Sequence, residues 1–310
     1  MITVSSINYI SPCPCVVALG CFDGVHRGHE AVIRRAKEIA DAHSLPLAVW
    51  SFRTPPKNFF VPNAVPLITT AEEKATLIEA LGADVFLSIP FDKDVADIPY
   101  EDFFHEILCR RLSARHIVCG FDFTFGAKGL GNAERLEALC HKNELSLSVV
   151  APVSMADEAV SSSRIREAIE AGDTKKTQDL LGRPYAITAE VVHGQHLARD
   201  LGFRTINQLI PSEKVVPRHG VYVARIAIDN QTYYGITNIG MRPTVGGTLL
   251  CSETHIFDYS EELYGACPTV SLLHFIRPET RFSSLDALVA QVNADIESAK
   301  EWLKNQEHPL

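Results

Sequence analysis

Apolar positions in the first half of the chain recur with two alternating signatures. Short runs rich in β-branched residues occupy 15–19 (Cys-Val-Val-Ala-Leu), 47–52 (Leu-Ala-Val-Trp-Ser-Phe), 85–91, 116–120 and 147–153. Runs of this length with no polar alternation predict strands buried on both faces. Between them the apolar residues take helical spacing: Val32, Ile33, Ala36, Ile39 and Ala40 after the first run, then Ala75, Leu77, Ile78 and Leu81 after the second. Thr70 followed by Glu73 reads as a capping box opening that second helix. Further helices are expected over 100–111 and 133–142, and 53–57 reads as a proline-containing loop. Strands alternating with helices predict a parallel sheet covered on both faces, with ligands at the carboxyl ends of the strands.

Near Leu181-Gly-Arg-Pro-Tyr185 the period changes. Runs at 185–192, 221–228, 232–239, 249–259 and 269–277 alternate as strands, and Asp229-Asn230 marks a turn between two of them. This predicts an antiparallel β domain, a small barrel. One helix over 284–304 closes the chain, with Leu285, Leu288, Val289, Val292, Ile296, Ala299 and Leu303 as its buried stripe. The expected boundary falls near residue 183, giving domains 1–183 and 184–310.

Composition narrows the function classes. A chain of 310 residues, 46% hydrophobic, is long enough for two cores. Its net charge of −9, with no basic tract, argues against general nucleic-acid binding. No apolar run approaches a membrane span, and the first residues lack the pattern of a signal peptide. The eight cysteines form no C-x-x-C pair, so reduced thiols in the cytoplasm are expected.

The chemistry concentrates at Gly20-Cys-Phe-Asp-Gly-Val-His-Arg-Gly-His29. A strand enters a glycine turn, and a helix begins with two histidines in its first turn. Such a helix start offers unpaired backbone N–H groups and a positive dipole end, a seat for phosphate. Imidazoles there can donate to phosphoryl oxygens without the solvation cost of a lysine. Two rival readings stand beside it: surface histidines on an amphipathic helix, and a metal site with Asp23 as third ligand. A Walker-type loop is excluded, because no Gly-Lys-Ser or Gly-Lys-Thr follows. Gly120-Phe-Asp-Phe-Thr-Phe-Gly126 reads either as a pocket for a flat ring or as a core strand end. Ser161-Ser-Ser-Arg-Ile-Arg166 reads either as a second anion site or as ordinary capping with solvated arginines.

Taken together, these motifs resemble those of the prokaryotic bifunctional riboflavin kinase/FMN adenylyltransferase (FAD synthetase) family, in order and over nearly the whole chain. The glycine-histidine turn is similar to that family's nucleotidyltransferase signature, and 120–126 and 161–166 to its other two ligand motifs. In the second half Gly182-Arg-Pro-Tyr185, Val191-Val-His-Gly194, Leu201-Gly-Phe-Arg-Thr-Ile-Asn207, Asn238-Ile-Gly-Met-Arg-Pro-Thr244, Glu253-Thr-His-Ile-Phe-Asp258 and Leu263-Tyr-Gly265 continue the likeness, and 275–286 leads into the closing helix.

The resemblance implies a Rossmann-like α/β nucleotidyltransferase domain with a parallel sheet. An antiparallel β-barrel riboflavin kinase domain with a C-terminal helix would follow it. It implies phosphorylation of riboflavin to FMN by ATP, then adenylyl transfer from ATP to FMN to give FAD and pyrophosphate, with Mg2+ required. His26, His29 and Glu253 would be catalytic. Gly20, Phe22, Asp23, Gly24, Gly28, Ser162, Ser163 and Arg166 would bind ATP and phosphate in the first site, and Asp122, Phe123 and Phe125 its flavin. Gly194, Arg199, Gly202, Thr205 and Asn207 would bind nucleotide in the kinase, Thr205 and Asn207 also the metal, and Arg277 the flavin. Small-molecule substrates, no nucleic acid, no membrane and a monomer or weak homo-oligomer are expected.

Three departures from the family pattern stand out. Thr54-Pro55-Pro56 replaces proline-histidine-proline, Arg204-Thr-Ile-Asn207 replaces proline-threonine-alanine-asparagine, and Ala198 replaces a glycine. Arg204 implies either a looser metal loop or a new phosphate contact. The alternatives to a bifunctional enzyme are an adenylyltransferase with a weak or inactive kinase half, and a non-enzymatic flavin- or nucleotide-binding regulator.

Overall fold

In the computed structural model, residues 1–193, 203–229, 231–244 and 247–306 are described. The chain divides into two compact units, Met1–Ser162 and Ser163–Leu310.

In the first unit the strands are β1 (Ile2–Val4), β2 (Cys15–Leu19), β3 (Leu47–Phe52), β4 (Val85–Ile89), β5 (Ala114–Gly120) and β6 (Ser146–Val150). The helices between them include α1 (Arg27–Ala42), α2 (Ala71–Ala80) and α3 (Ala133–Lys142). The sheet order is β1-β4-β3-β2-β5-β6, and its pairings are parallel. β2 sits inside the sheet, and its five residues are all buried. Cys15, Val17 and Leu19 face one core with Trp50, Leu87, Phe103 and Leu136, while Val16 and Ala18 face the other with Ile33, Ala36 and Ile78. The uninterrupted apolar run follows from this: both faces are covered, so neither tolerates a polar residue.

Two details depart from the periodicity. The helix expected over 100–111 begins as α at Tyr100–Asp102 and continues as a π-helix, Phe103–Arg111. The wider winding brings Phe103, Phe104, Ile107 and Leu108 onto one buried face. The edge strand β1 was not expected, because its first two residues are exposed and carry no burial pattern.

The second unit begins with α4 (Ser162–Ala171), whose first residue closes the first unit, and α5 (Thr174–Leu181). Its strands are β7 (Tyr185–Thr188), β8 (Val191–Val192), β9 (Thr205–Leu209), β10 (Gly220–Ile228), β11 (Gln231–Thr244), β12 (Gly247–Ile256) and β13 (Thr269–Pro278), followed by α6 (Leu285–Lys304). The order is β7-β13-β10-β11-β12-β9-β8, with antiparallel pairings. β7 and β8 are the two edges of this sheet, yet only Ala189 and Glu190 separate them. The three Cα steps from Thr188 to Val191 span at most about 11 Å, so the sheet must roll until its edges approach each other. The buried Gln208 amide crosses the seam, donating to the carbonyls of Ala189 (2.6 Å) and Pro268 (2.8 Å). The sheet is therefore an antiparallel barrel capped by α6. The single run expected over 185–192 is two strands on opposite edges. β9 was missed, because the polar residues in Thr-Ile-Asn-Gln-Leu hide a strand. In the turn after β10, Asp229 takes a positive φ of 52°, and Asn230 lies outside the described residues.

The capping box is present as read: Thr70 Oγ1 accepts from Glu73 N (3.2 Å) and Glu73 Oε2 accepts from Thr70 N (2.9 Å). Thr70→Ala removes one half of it. The expected loss is about 1 kcal/mol, read as a lower urea midpoint with an unchanged slope.

Candidate functional site

The first site is the turn between β2 and α1. Chain reversal there requires three residues in the left-handed region: Phe22 (φ 48°), Gly24 (φ 82°) and Val25 (φ 38°). Only the glycine adopts it freely, and non-glycine residues hold it at a cost of about 1–3 kcal/mol each. The surroundings fix the turn. The buried Asp23 carboxylate accepts from the backbone of Ile68 (3.1 Å) and Thr69 (3.2 Å), and Gly24 N donates to Thr69 Oγ1 (3.0 Å). Ser162 Oγ donates to the Asp23 carbonyl (3.1 Å).

His26 is the N-cap of α1. Its Nδ1 accepts from the backbone N–H of His29 at 3.3 Å. With Nδ1 accepting, the neutral ring carries its proton on Nε2, a donor turned away from the cap. The His26 and His29 rings stack, with centroids 3.5 Å apart and planes 17° off parallel. Phe22 meets His29 edge-on, at 5.3 Å and 87°. A Cβ on Gly28 would lie 3.2 Å from His26 Nδ1, so glycine there leaves room for the ring.

Neither rival reading of the histidines fits this arrangement. His26 is buried, not on a solvated helix face. Asp23 spends its oxygens on backbone N–H groups, and among the described residues no group of three or more His, Cys, Asp or Glu is arranged to hold a metal ion.

Other residues expected at this site divide. Gly20 N donates to Trp50 O (3.2 Å), placing the turn at the carboxyl end of β3 as well. Asp122 is exposed, and Phe123 is half-buried and stacks on Phe125 (5.5 Å, 11°). Phe125 itself is buried in the core against Phe103 and Tyr100. Ser163 and Arg166 fall in the second unit. The sequence reading missed a ring cluster: Phe59 and Phe60, both exposed, pack edge-on against Phe91, which packs on Phe52 at the end of β3. Its signal was the pair of phenylalanines three and four residues after Pro56.

The second site is a row of residues across the barrel. Asn207 on β9 lies opposite Glu253 on β12. Glu253 lies opposite Asn238 on β11, Asn238 opposite Val221 on β10, and Val221 opposite Arg277 on β13. Directly opposed residues share a face, and all five line one cavity of about 370 Å³. Leu288, Val292 and Asp295 of α6 supply part of its wall. Thr205, two residues before Asn207 and so on the same face, donates its hydroxyl to Glu253 Oε1 at 3.0 Å. Thr205 and Asn207 also line a second, smaller pocket with Ile206, Tyr259, Leu263 and Tyr264. The two pockets thus meet at Thr205 and Asn207, and Glu253 lines the larger of them.

Arg277 lines the cavity, but its guanidinium is engaged. Nε and Nη2 donate to the buried Asp295 carboxylate (2.9 and 2.7 Å), and Gln291 donates to the same carboxylate (2.9 Å). The pair ties α6 to the barrel. Arg204 is exposed and lines the smaller pocket; its Nη1 donates to Ser260 O (2.5 Å), and its carbonyl is hydrogen-bonded by His255 Nδ1 (2.9 Å). Gly194, Ala198, Arg199 and Gly202 lie outside the described residues.

Residues 10–164 match the family described as FAD synthetase, and residues 181–303 the family described as riboflavin kinase. The chain is 33% identical over 293 residues to the bifunctional riboflavin kinase/FMN adenylyltransferase of Haemophilus influenzae, covering 94% of this chain and 95% of that one. It is 35% identical over 287 residues to the protein of the same description from Pseudomonas fluorescens, covering 92% of each. A crystal structure described as a macrolide-efflux protein from Streptococcus pneumoniae has a TM-score of 0.88 to it at 32% identity, covering 99% of this chain and all of that one. Among the described residues, no helix of this chain is long and apolar enough to cross a membrane.

Arg277→Ala removes the cationic partner of the buried Asp295 carboxylate and leaves it the neutral Gln291 amide as donor. Breaking a buried pair from one side costs about 3–5 kcal/mol. The expected outcome is a loss of that size in urea unfolding of the barrel.

Proposed function

The chain belongs to the bifunctional riboflavin kinase/FMN adenylyltransferase family, and on that footing we propose how its two sites divide the reactions. It is a transferase that makes FAD in two ATP-dependent steps, phosphorylating riboflavin to FMN and then joining FMN to AMP.

In the kinase step the ribityl 5′-hydroxyl attacks the γ-phosphorus of ATP, and the bond to the β–γ bridging oxygen breaks. Glu253 takes the hydroxyl proton, a role that suits a carboxylate held at the cavity wall by Thr205. The flavin occupies the larger cavity and the nucleotide the smaller pocket, so the two reacting groups meet beside Thr205, Asn207 and Glu253. Thr205 and Asn207 offer neutral oxygens of the kind a hard cation takes while keeping several waters. Mg2+ held there would neutralise charge on the phosphates of ATP. Positioning and charge neutralisation are most of what phosphoryl transfer needs. Arg277 contributes wall and positive charge to the flavin cavity while its fork holds α6.

In the adenylyl step an FMN phosphate oxygen attacks the α-phosphorus of ATP, and pyrophosphate leaves with the α–β bridging oxygen. The Nε2–H of His26, the ring of His29 and the positive end of the α1 dipole stabilise the charge that builds on the phosphates. Gly28 keeps the approach clear. The ring cluster of Phe59, Phe60 and Phe91 offers apolar faces for an isoalloxazine at the carboxyl end of the same sheet. We take 1–183 and 184–310 as the functional domains, acting in the cytoplasm as a monomer or weak homo-oligomer. All eight cysteines are free thiols, which suits that compartment.

The observation that carries this reading is the separation of the two constellations. The histidine stack lies in one compact unit, and the row through Glu253 lies in the other. Purified protein given ATP, Mg2+ and either riboflavin or FMN, with products resolved by chromatography, tests it. His29→Ala should lower FAD formation by about 10²–10³-fold while riboflavin still becomes FMN. Glu253→Gln should lower riboflavin phosphorylation by about 10²–10⁴-fold while FMN still becomes FAD. Loss of both activities in either folded variant would sink the two-site assignment.

A further inference from the structure

We infer that Lys74 is a positioning residue of the adenylyl-transfer site, acting through the peptide of Cys21 on the Phe22–His29 contact. The inference rests on the proposed role of His29. Lys74 belongs to the first turn of α2, on the stripe that also carries the buried Ile78. It is only 1% exposed, among the most buried side chains of the protein.

Its ammonium does not reach solvent. It donates to two backbone carbonyls, Phe52 O at 2.8 Å and Cys21 O at 3.2 Å. The first ends β3, and the second belongs to the glycine-histidine turn. Burial pushes its pKa down, and the nearby Cys21 and Asp23 oppose that shift. Among the described residues no carboxylate lies within ion-pair distance of it, and a buried lysine so placed is costly. Such a cost is kept only where the contacts it makes matter, and these contacts fix backbone.

The Cys21 carbonyl receives a second donor, Ser51 Oγ at 2.7 Å. With both lone pairs occupied, this oxygen is held in direction as well as place. The next residue is Phe22, in the left-handed region at φ 48°. Its ring is buried and abuts His29 edge-on. The order of contacts is therefore Lys74 and Ser51, the Cys21 peptide, the strained Phe22 backbone, its ring, and the imidazole. The same segment supplies the other restraints on the turn, because Ile68 and Thr69 hold Asp23 and Gly24. Segment 68–74 thus grips the turn from outside it, and Lys74 brings a charged group to that grip.

Lys74→Met keeps the stem and removes both donors. At saturating ATP and FMN, kcat for FAD formation is expected to fall by about 10²-fold, with KM for FMN little changed and riboflavin phosphorylation by the same protein unaltered. A residue that acted by general stability would not give this split. Introduced into His29→Ala, Lys74→Met should cost little more, since the group it positions is gone. If Lys74→Met does not fold, as judged by near-UV circular dichroism, Ser51→Ala removes the other donor on the same carbonyl and should show the same non-additivity at smaller size. An unchanged kcat in the folded variant, or losses that multiply with His29→Ala, would overturn the role of Lys74 and leave the two-site assignment standing. Full FAD formation by His29→Ala alone would overturn both.

Discussion

The first unit depends on a turn that the chain resists making. Between β2 and α1, Phe22 and Val25 sit in a backbone region that side chains disfavour. The strain is tolerated because the turn is held from several directions. Asp23 is bonded to two backbone N–H groups, the Cys21 carbonyl is doubly bonded, and Gly24 is tied to Thr69. What the strain produces is placement. It sets the Phe22 ring against His29 and delivers His26 to the helix start as the cap. An imidazole cap is unusual in that its bond to the helix also fixes which nitrogen carries the proton. Structure and chemistry share one hydrogen bond there.

The barrel solves a different problem. Its cavity brings a carboxylate, two neutral oxygen-bearing side chains and an apolar wall into register. Sheet pairing provides that register directly, because Asn207, Glu253, Asn238, Val221 and Arg277 are successive neighbours across five strands. The rolled sheet turns this row inward, and α6 covers it, held by the Arg277–Asp295 pair. Register shifts on either side of Tyr222–Val223 mark where β10 bends against β13. Polar residues on such a face would be a fault in a core, and here they line the site.

Legibility followed burial. β2, β3, α1 and α3 were readable because both faces, or one clean stripe, are apolar, and the residues expected inside α1 are the ones buried; in α6 the expected stripe holds at Ile296 and Ala299, but Leu285 is exposed and the charged Asp295 is buried instead. The Thr70–Glu73 box was readable because capping is local. β9 was not, since the polar Thr205, Asn207 and Gln208 break the apolar strand pattern. The π-helical winding of Phe103–Arg111 was also hidden, because its apolar spacing passes for α. At the first site the histidines and glycines were legible from spacing. Their stacking, the cap and the commitment of Asp23 to backbone were not, because each depends on groups tens of residues away. The same holds for Phe125, whose surroundings make it core.

By itself the sequence determined the two-part architecture, the parallel and antiparallel sheets, the glycine-histidine turn and the family to which the chain belongs. These are written in local periodicity and in residue spacing, which survive without knowledge of distant contacts. Only the tertiary structure decided which polar groups are spent on holding the fold and which remain to act. Asp23, Lys74 and Arg277 are all charged, yet each is bound to backbone or to a buried partner. Charge in a sequence names a capability. Its use is set by what low-dielectric surroundings leave unpaired, and that is decided by contacts between residues far apart in the chain.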